Sequence, residues 1–122
     1  MGTLVAADRE FWSKVLTAGG FTAVPRWARE PVAGAAEHEE TVPADTARAV
    51  RALAARLDVP VSTVLLAAHA KVLAALSAEQ DVVTGYVTGP GRGPLPCRLT
   101  VAPRSWRRLV LDVRRVEEEL IA

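Results

Sequence analysis

From Ser62 to Arg92 the chain runs through an almost wholly apolar stretch, a short polar turn, a β-branched stretch and a glycine-rich turn. The first stretch predicts a helix starting at Ser62 or its neighbour and ending near Ser77. Being apolar on nearly every face, this helix is expected to be buried. Val82 to Thr88 predicts a buried strand directly after it, so the unit belongs in an α/β layer.

The flanking segments carry weaker patterns. Asp8 is placed to cap a helix running to about Ala18, with Phe11, Trp12, Val15 and Leu16 as its stripe and Gly19-Gly20 as its stop. Phe21 to Ala36 holds Pro25, Pro31 and Gly34 and predicts an extended connector, with Phe21, Val24 and Trp27 laid on a surface. Glu37 to Val42 predicts a strand ended by Pro43. Asp45 to Leu57 predicts an amphipathic helix whose stripe is Ala47, Val50, Leu53, Ala54 and Leu57, broken by Asp58-Val59-Pro60.

Beyond the Gly89–Pro94 turn, Leu95 to Ala102 alternates as a strand. Leu95, Cys97, Leu99 and Val101 share one face, and Pro96 marks an edge or a strand end. Ser105 is expected to cap a last helix with the stripe Trp106, Leu109, Val110, Val113, Val116 and Leu120. The charges on this helix oppose its dipole: Arg107 and Arg108 come first, and Glu117, Glu118 and Glu119 come last. Arg114–Glu118 and Arg115–Glu119 have pairing spacing, in the weaker orientation. This order implies a helix that leans on a partner or continues past Ala122.

The fold class read from these elements is α/β, a small mixed sheet packed with helices. Strand, two helices and strand would form a crossover, right-handed if the strands are parallel. The connection from 88 to 95 is short enough for an antiparallel hairpin. At 122 residues, half of them apolar, the chain supports one core. Fifteen basic against 14 acidic side chains leave a net charge of +1, which gives no footprint for nucleic acid or for an anionic membrane. A single cysteine excludes an internal disulfide and fits a reducing, cytoplasmic compartment. No run is long and apolar enough for a bilayer span, and no signal peptide is expected.

Several segments together resemble the C-terminal half of a nonribosomal peptide synthetase condensation domain. Phe11-Trp12 resembles the aromatic pair on the helix leading into that half. Leu53-Ala54, Val59, the run Thr63-Val64-Leu65-Leu66-Ala67-Ala68 and Val72-Leu73 resemble its two-helix pattern. Asp81-Val82-Val83 with Gly85, then Arg92, resemble its Asp-Val-Val-x-Gly strand and following Gly-Arg. Leu95-Pro96-Cys97-Arg98 resembles its Leu-Pro-Leu-Arg segment, and Trp106 and Leu109 resemble positions of its next helix. The resemblance implies half of a chloramphenicol acetyltransferase-like two-lobe fold. Residues 1–36 would form an N-terminal helix and connector, and 37–122 a partial lobe, within one domain. Two departures stand out. The His-His-x-x-x-Asp-Gly signature is missing from these residues, and Gly93-Pro94 stands where the family carries Gly-x-Phe-x-Asn.

Each candidate chemical group has a structural reading as well. His69 lies on the face of Leu65, Leu66 and Leu73 with no nearby carboxylate in sequence to orient it, which favours a packed or hydrogen-bonded role over a general base. His38, among Glu37, Glu39 and Glu40, reads as a solvated edge rather than a metal ligand. Cys97 reads as a buried apolar residue rather than a nucleophile. The 89–93 turn precedes a strand and lacks a P-loop's Lys and Ser/Thr, so it reads as a connection rather than a phosphate cradle.

No catalytic, cofactor-binding or metal-binding residue is therefore expected. The resemblance implies a truncated, non-catalytic condensation-like domain acting as a structural platform for an adenylation domain, in cis or in trans. Two alternatives are half of an acyltransferase completed in trans by a lobe carrying the histidines, and a carrier-protein binding module. A lone lobe leaves apolar surface uncovered, which predicts docking or a homodimer. The expected interface residues are Phe11, Trp12, Trp27, Arg92, Trp106, Arg107, Arg108, Arg114 and Arg115.

Overall fold

Three helices and one hairpin make up the fold of the described residues. In the computed structural model, which describes residues 20–26 and 28–122, α1 spans Ala44–Leu57, α2 Val61–Ser77, β1 Asp81–Tyr86, β2 Leu95–Thr100 and α3 Trp106–Ile121. The expected helix over 8–18, with Phe11 and Trp12, lies outside the described residues, as does Trp27.

Helix α1 buries the expected side. Ala54 is in the core, and Val50, Leu53 and Leu57 pack against it. Asp58 ends the helix in the left-handed conformation, its N–H turned back to the Ala54 and Ala55 carbonyls. The chain then bends by 110° into α2 across the 58–60 break, where Pro60 cannot continue a helix. Ala78 ends α2, also left-handed at φ 58°.

β1 and β2 pair antiparallel, from Asp81 opposite Thr100 to Tyr86 opposite Leu95. Strand periodicity puts Val82, Thr84 and Tyr86 on the same face as Leu95, Cys97 and Leu99. Val82, Cys97 and Leu99 are buried there with Val64, Ala67 and Ala70 of α2 and Leu109, Val110 and Val113 of α3. A two-stranded hairpin is marginal on its own; α2 and α3 supply the cover it needs. The Thr100 hydroxyl bonds the Asp81 carboxylate at 2.7 Å, closing one end of the ladder. The connector reaches the free edge of β1, where the Thr22 N–H donates to the Val83 carbonyl at 2.9 Å and the Val83 N–H to the Thr22 hydroxyl at 2.7 Å.

Several expectations need correction. Residues 37–42 form no strand; they are exposed and have no ladder partner. Glu37, Glu39 and Glu40 gain nothing by leaving water, and Val42 alone offers too little apolar area to hold an edge. Without that strand the sheet of the described residues is a purely antiparallel hairpin, neither mixed nor joined by a crossover. β1 is also shorter than expected, because Val87 turns outward beyond Tyr86.

Helix α2 is only half covered. Thr63, Val64, Ala67 and Ala70 are buried, while Leu65 is 55% and Val72 56% exposed, in line with Val61 and Leu76. The pattern of the helix demands burial all round, and the described residues satisfy one side.

Backbone approach makes Gly85 irreplaceable. A Cβ there would lie 2.9 Å from the Pro94 Cβ. Gly85→Ala is expected to lower stability by about 1–3 kcal/mol through overpacking. Ala78→Gly relieves a left-handed alanine and is expected to raise stability by about 1 kcal/mol. Urea midpoints of the two variants should move in opposite directions; a shared direction contradicts this account.

Candidate functional site

Glu117 sits on the apolar stripe of α3, one turn beyond Val113 and two beyond Val110. It is 2% exposed, the largest fully buried side chain among the described residues. The Thr63 hydroxyl of α2 donates to its Oε1 at 2.5 Å, and the Tyr86 hydroxyl of β1 donates to its Oε2 at 2.6 Å. Arg114 Nη1 lies 3.9 Å away. Among the described residues no buried side-chain polar atom lacks a partner.

The carboxylate changes its neighbours. The Tyr86 phenol is pushed up to about 12, first because its hydroxyl donates to Glu117, then through burial and the negative charge. The Cys97 thiol is pushed up to about 11, first by burial and then by Glu117. Cys97 is fully buried and protonated at neutral pH, as its apolar reading requires.

A second grouping lies where the first half of α3 runs beside β2. Arg108, Asp112 and Arg115 share a side of the helix through their 4, 3 spacing, and Arg104 joins them from the segment before the Ser105 cap. Arg104 and Arg108 approach Asp112 Oδ2, the latter at 3.7 Å, and Arg115 approaches Oδ1 at 3.2 Å. Ser105 caps the helix, its hydroxyl accepting from the Arg108 N–H at 3.2 Å. Arg114 turns instead towards Glu118, at 3.2 Å.

The expected charge conflict on α3 is relieved only in part among the described residues. Asp112 takes up one positive charge among Arg104, Arg108 and Arg115, Thr63 and Tyr86 hold Glu117, and Arg114 holds Glu118. The anticipated Arg115–Glu119 pair does not form; Arg115 bonds Asp112.

Of the expected interface residues, Trp106, Arg107, Arg108 and Arg115 gather on α3. Trp106 is half-exposed, with the Lys71 ammonium of α2 4.5 Å from its ring centroid. Arg107 makes no ion pair with a described residue, whereas Arg114 faces the acidic end of the helix. Arg92 lies apart from them in the hairpin turn, its N–H bonding the Gly89 carbonyl at 3.3 Å.

The two histidines do not meet. His38 is exposed in the connector and bonds Glu40 at 3.0 Å. His69 is exposed on α2, with Nε2 2.9 Å from the Thr84 hydroxyl. No group of metal-ligating side chains occurs among the described residues, and no single helix among them is long and apolar enough to cross a membrane.

No known protein-family profile matches the chain. It is similar to the AMB antimetabolite synthetase AmbE of Pseudomonas aeruginosa, with 34% identity over 110 residues. The match covers 80% of this chain and 5% of that protein, so the chain spans a small fraction of its relative's length. A synthetase relative agrees with the sequence resemblance at the level of its general class.

Sequence reasoning missed Glu117, Tyr86 and Asp112. Glu117 had a signal, since it follows Val110 and Val113 at helical spacing on the buried face. Asp112 had one too, lying four residues after Arg108 and three before Arg115.

The raised values of Tyr86 and Cys97 favour the neutral groups in the fold. Their contribution to stability is complete below the unfolded values of 10 and 9 and is lost as pH rises towards about 12 and 11. Stability is therefore expected to fall between pH 9 and 12. Tyr86 is the chain's one tyrosine, so phenolate absorbance reads it alone. Its midpoint should lie near 12 in the native protein and fall towards 10 in Glu117→Gln; a native midpoint at 10 contradicts the bond.

Proposed function

We propose that this chain is a condensation-like lobe of a nonribosomal peptide synthetase, working as a docking platform for an adenylation domain rather than as a catalyst. The observation that carries the reading is the similarity to an antimetabolite synthetase within 5% of that protein's length. A stretch that small within a long chain has most of its surroundings supplied by other parts of the polypeptide. The segment-by-segment resemblance to a condensation domain's C-terminal half supports the finer assignment.

Two features support a platform. The uncovered stripe of Val61, Leu65, Val72 and Leu76 is apolar surface of the kind that marks an interaction site. Trp106, Arg107 and Arg108 at the start of α3 supply the aromatic and guanidinium groups enriched in interface anchors. The non-catalytic role is supported by the missing double-histidine signature and by the separation of His38 and His69 on different segments. His69 has a hydroxyl partner in Thr84, not a carboxylate that would orient it as a base.

The test is a titration of the 122-residue chain with the adenylation domain of its own synthetase, followed by calorimetry and light scattering. A one-to-one complex is expected. Leu65→Glu combined with Val72→Glu should weaken it by roughly tenfold or more while leaving the fold intact, because both side chains are already exposed. A chain that stays monomeric, ignores the adenylation domain and binds no dye for exposed apolar surface would overturn the proposal.

A further inference from the structure

We propose that the cleft between β2 and the first half of α3 binds a phosphoryl group through Arg104, Arg108 and Arg115. This goes beyond the docking role and does not rest on it. The cleft is lined by Arg98, Thr100, Arg104, Asp112 and Arg115, among others, and Arg108 reaches Asp112 from beside it. Within the group that converges on the single Asp112 carboxylate, three positive charges stand against one negative, a surplus of two; Arg98, on the cleft wall, is engaged in an interaction of its own.

A structural ion cluster would tend towards neutrality, since excess like charge held together is repulsive. This one keeps its excess on the most solvent-open members: the Arg108 and Arg115 side chains are each 69% exposed, while that of Asp112 is 18% exposed. A guanidinium has five N–H donors in a planar fork. Each arginine engages Asp112 through part of that fork and leaves other donors for a ligand. Asp112 therefore orients the forks without exhausting them.

The ligand class follows from charge and shape. A phosphate monoester carries about −1.5 to −2 at neutral pH and three acceptor oxygens. That matches a surplus of two and three convergent forks. A single carboxylate supplies half the charge and fewer acceptors, and Asp112 already fills that role.

The experiment titrates the isotope-labelled 122-residue chain with inorganic phosphate and follows the arginine Nε–Hε signals by NMR. Two further arms use a phosphoserine tetrapeptide and a nucleoside monophosphate, to separate a protein-borne phosphoryl group from a small-molecule one. Saturable shifts confined to Arg104, Arg108 and Arg115 are expected, weakening as ionic strength rises. The double substitution Arg108→Gln and Arg115→Gln should weaken binding by about tenfold or more. Arg51→Gln, on the exposed side of α1, should leave it unchanged. The tighter of the two ester arms identifies the source. Non-saturable shifts, equal competition by acetate, or equal losses in the Arg51 variant would each overturn the assignment.

Discussion

A buried carboxylate holds three elements of this protein in register. Removing a carboxylate from water costs several kcal/mol unless its oxygens are bonded. Glu117 meets that demand with one hydroxyl from the first turn of α2 and one from the end of β1. Apolar contacts tolerate small slides and rotations, but hydrogen bonds at 2.5 and 2.6 Å do not. A 100° rotation of α3 would strand the charge, so the helix has one acceptable seating. The same carboxylate raises the phenol of Tyr86 and contributes to raising the thiol of Cys97, keeping both neutral in the core.

Around that node the structure divides into a satisfied side and an unsatisfied one. The hairpin, α3 and the inner side of α2 bury one another. The outer side of α2 keeps Leu65 and Val72 largely in water. The charges also divide along α3, where Asp112 gathers arginines beside β2 and Glu117 turns into the core.

Much of the architecture was legible because periodicity is a local property. The stripes of α1 and α3, the capping role of Ser105, the alternation of β2 and the short antiparallel connection all follow from spacing along the chain. Gly85 lies in a strand, as the β-branched stretch over 82–88 predicts, and Cys97 is buried, as the alternation of β2 predicts. The supposed strand over 37–42 failed for a non-local reason: a weak apolar pattern needs a partner edge, and the only paired strands among the described residues are β1 and β2.

Sequence by itself determined the types of the three helices and two strands that the structure describes, the buried faces of α1 and α3, and the lack of a double-histidine signature in these residues. These depend on residue type and short-range spacing. Tertiary structure alone decided that Thr63, Tyr86 and Glu117 meet across separations of 54 and 31 residues. It also decided which side of the uniformly apolar α2 is covered. A helix hydrophobic all round carries no internal instruction about its seating; the bonds to Glu117 supply it.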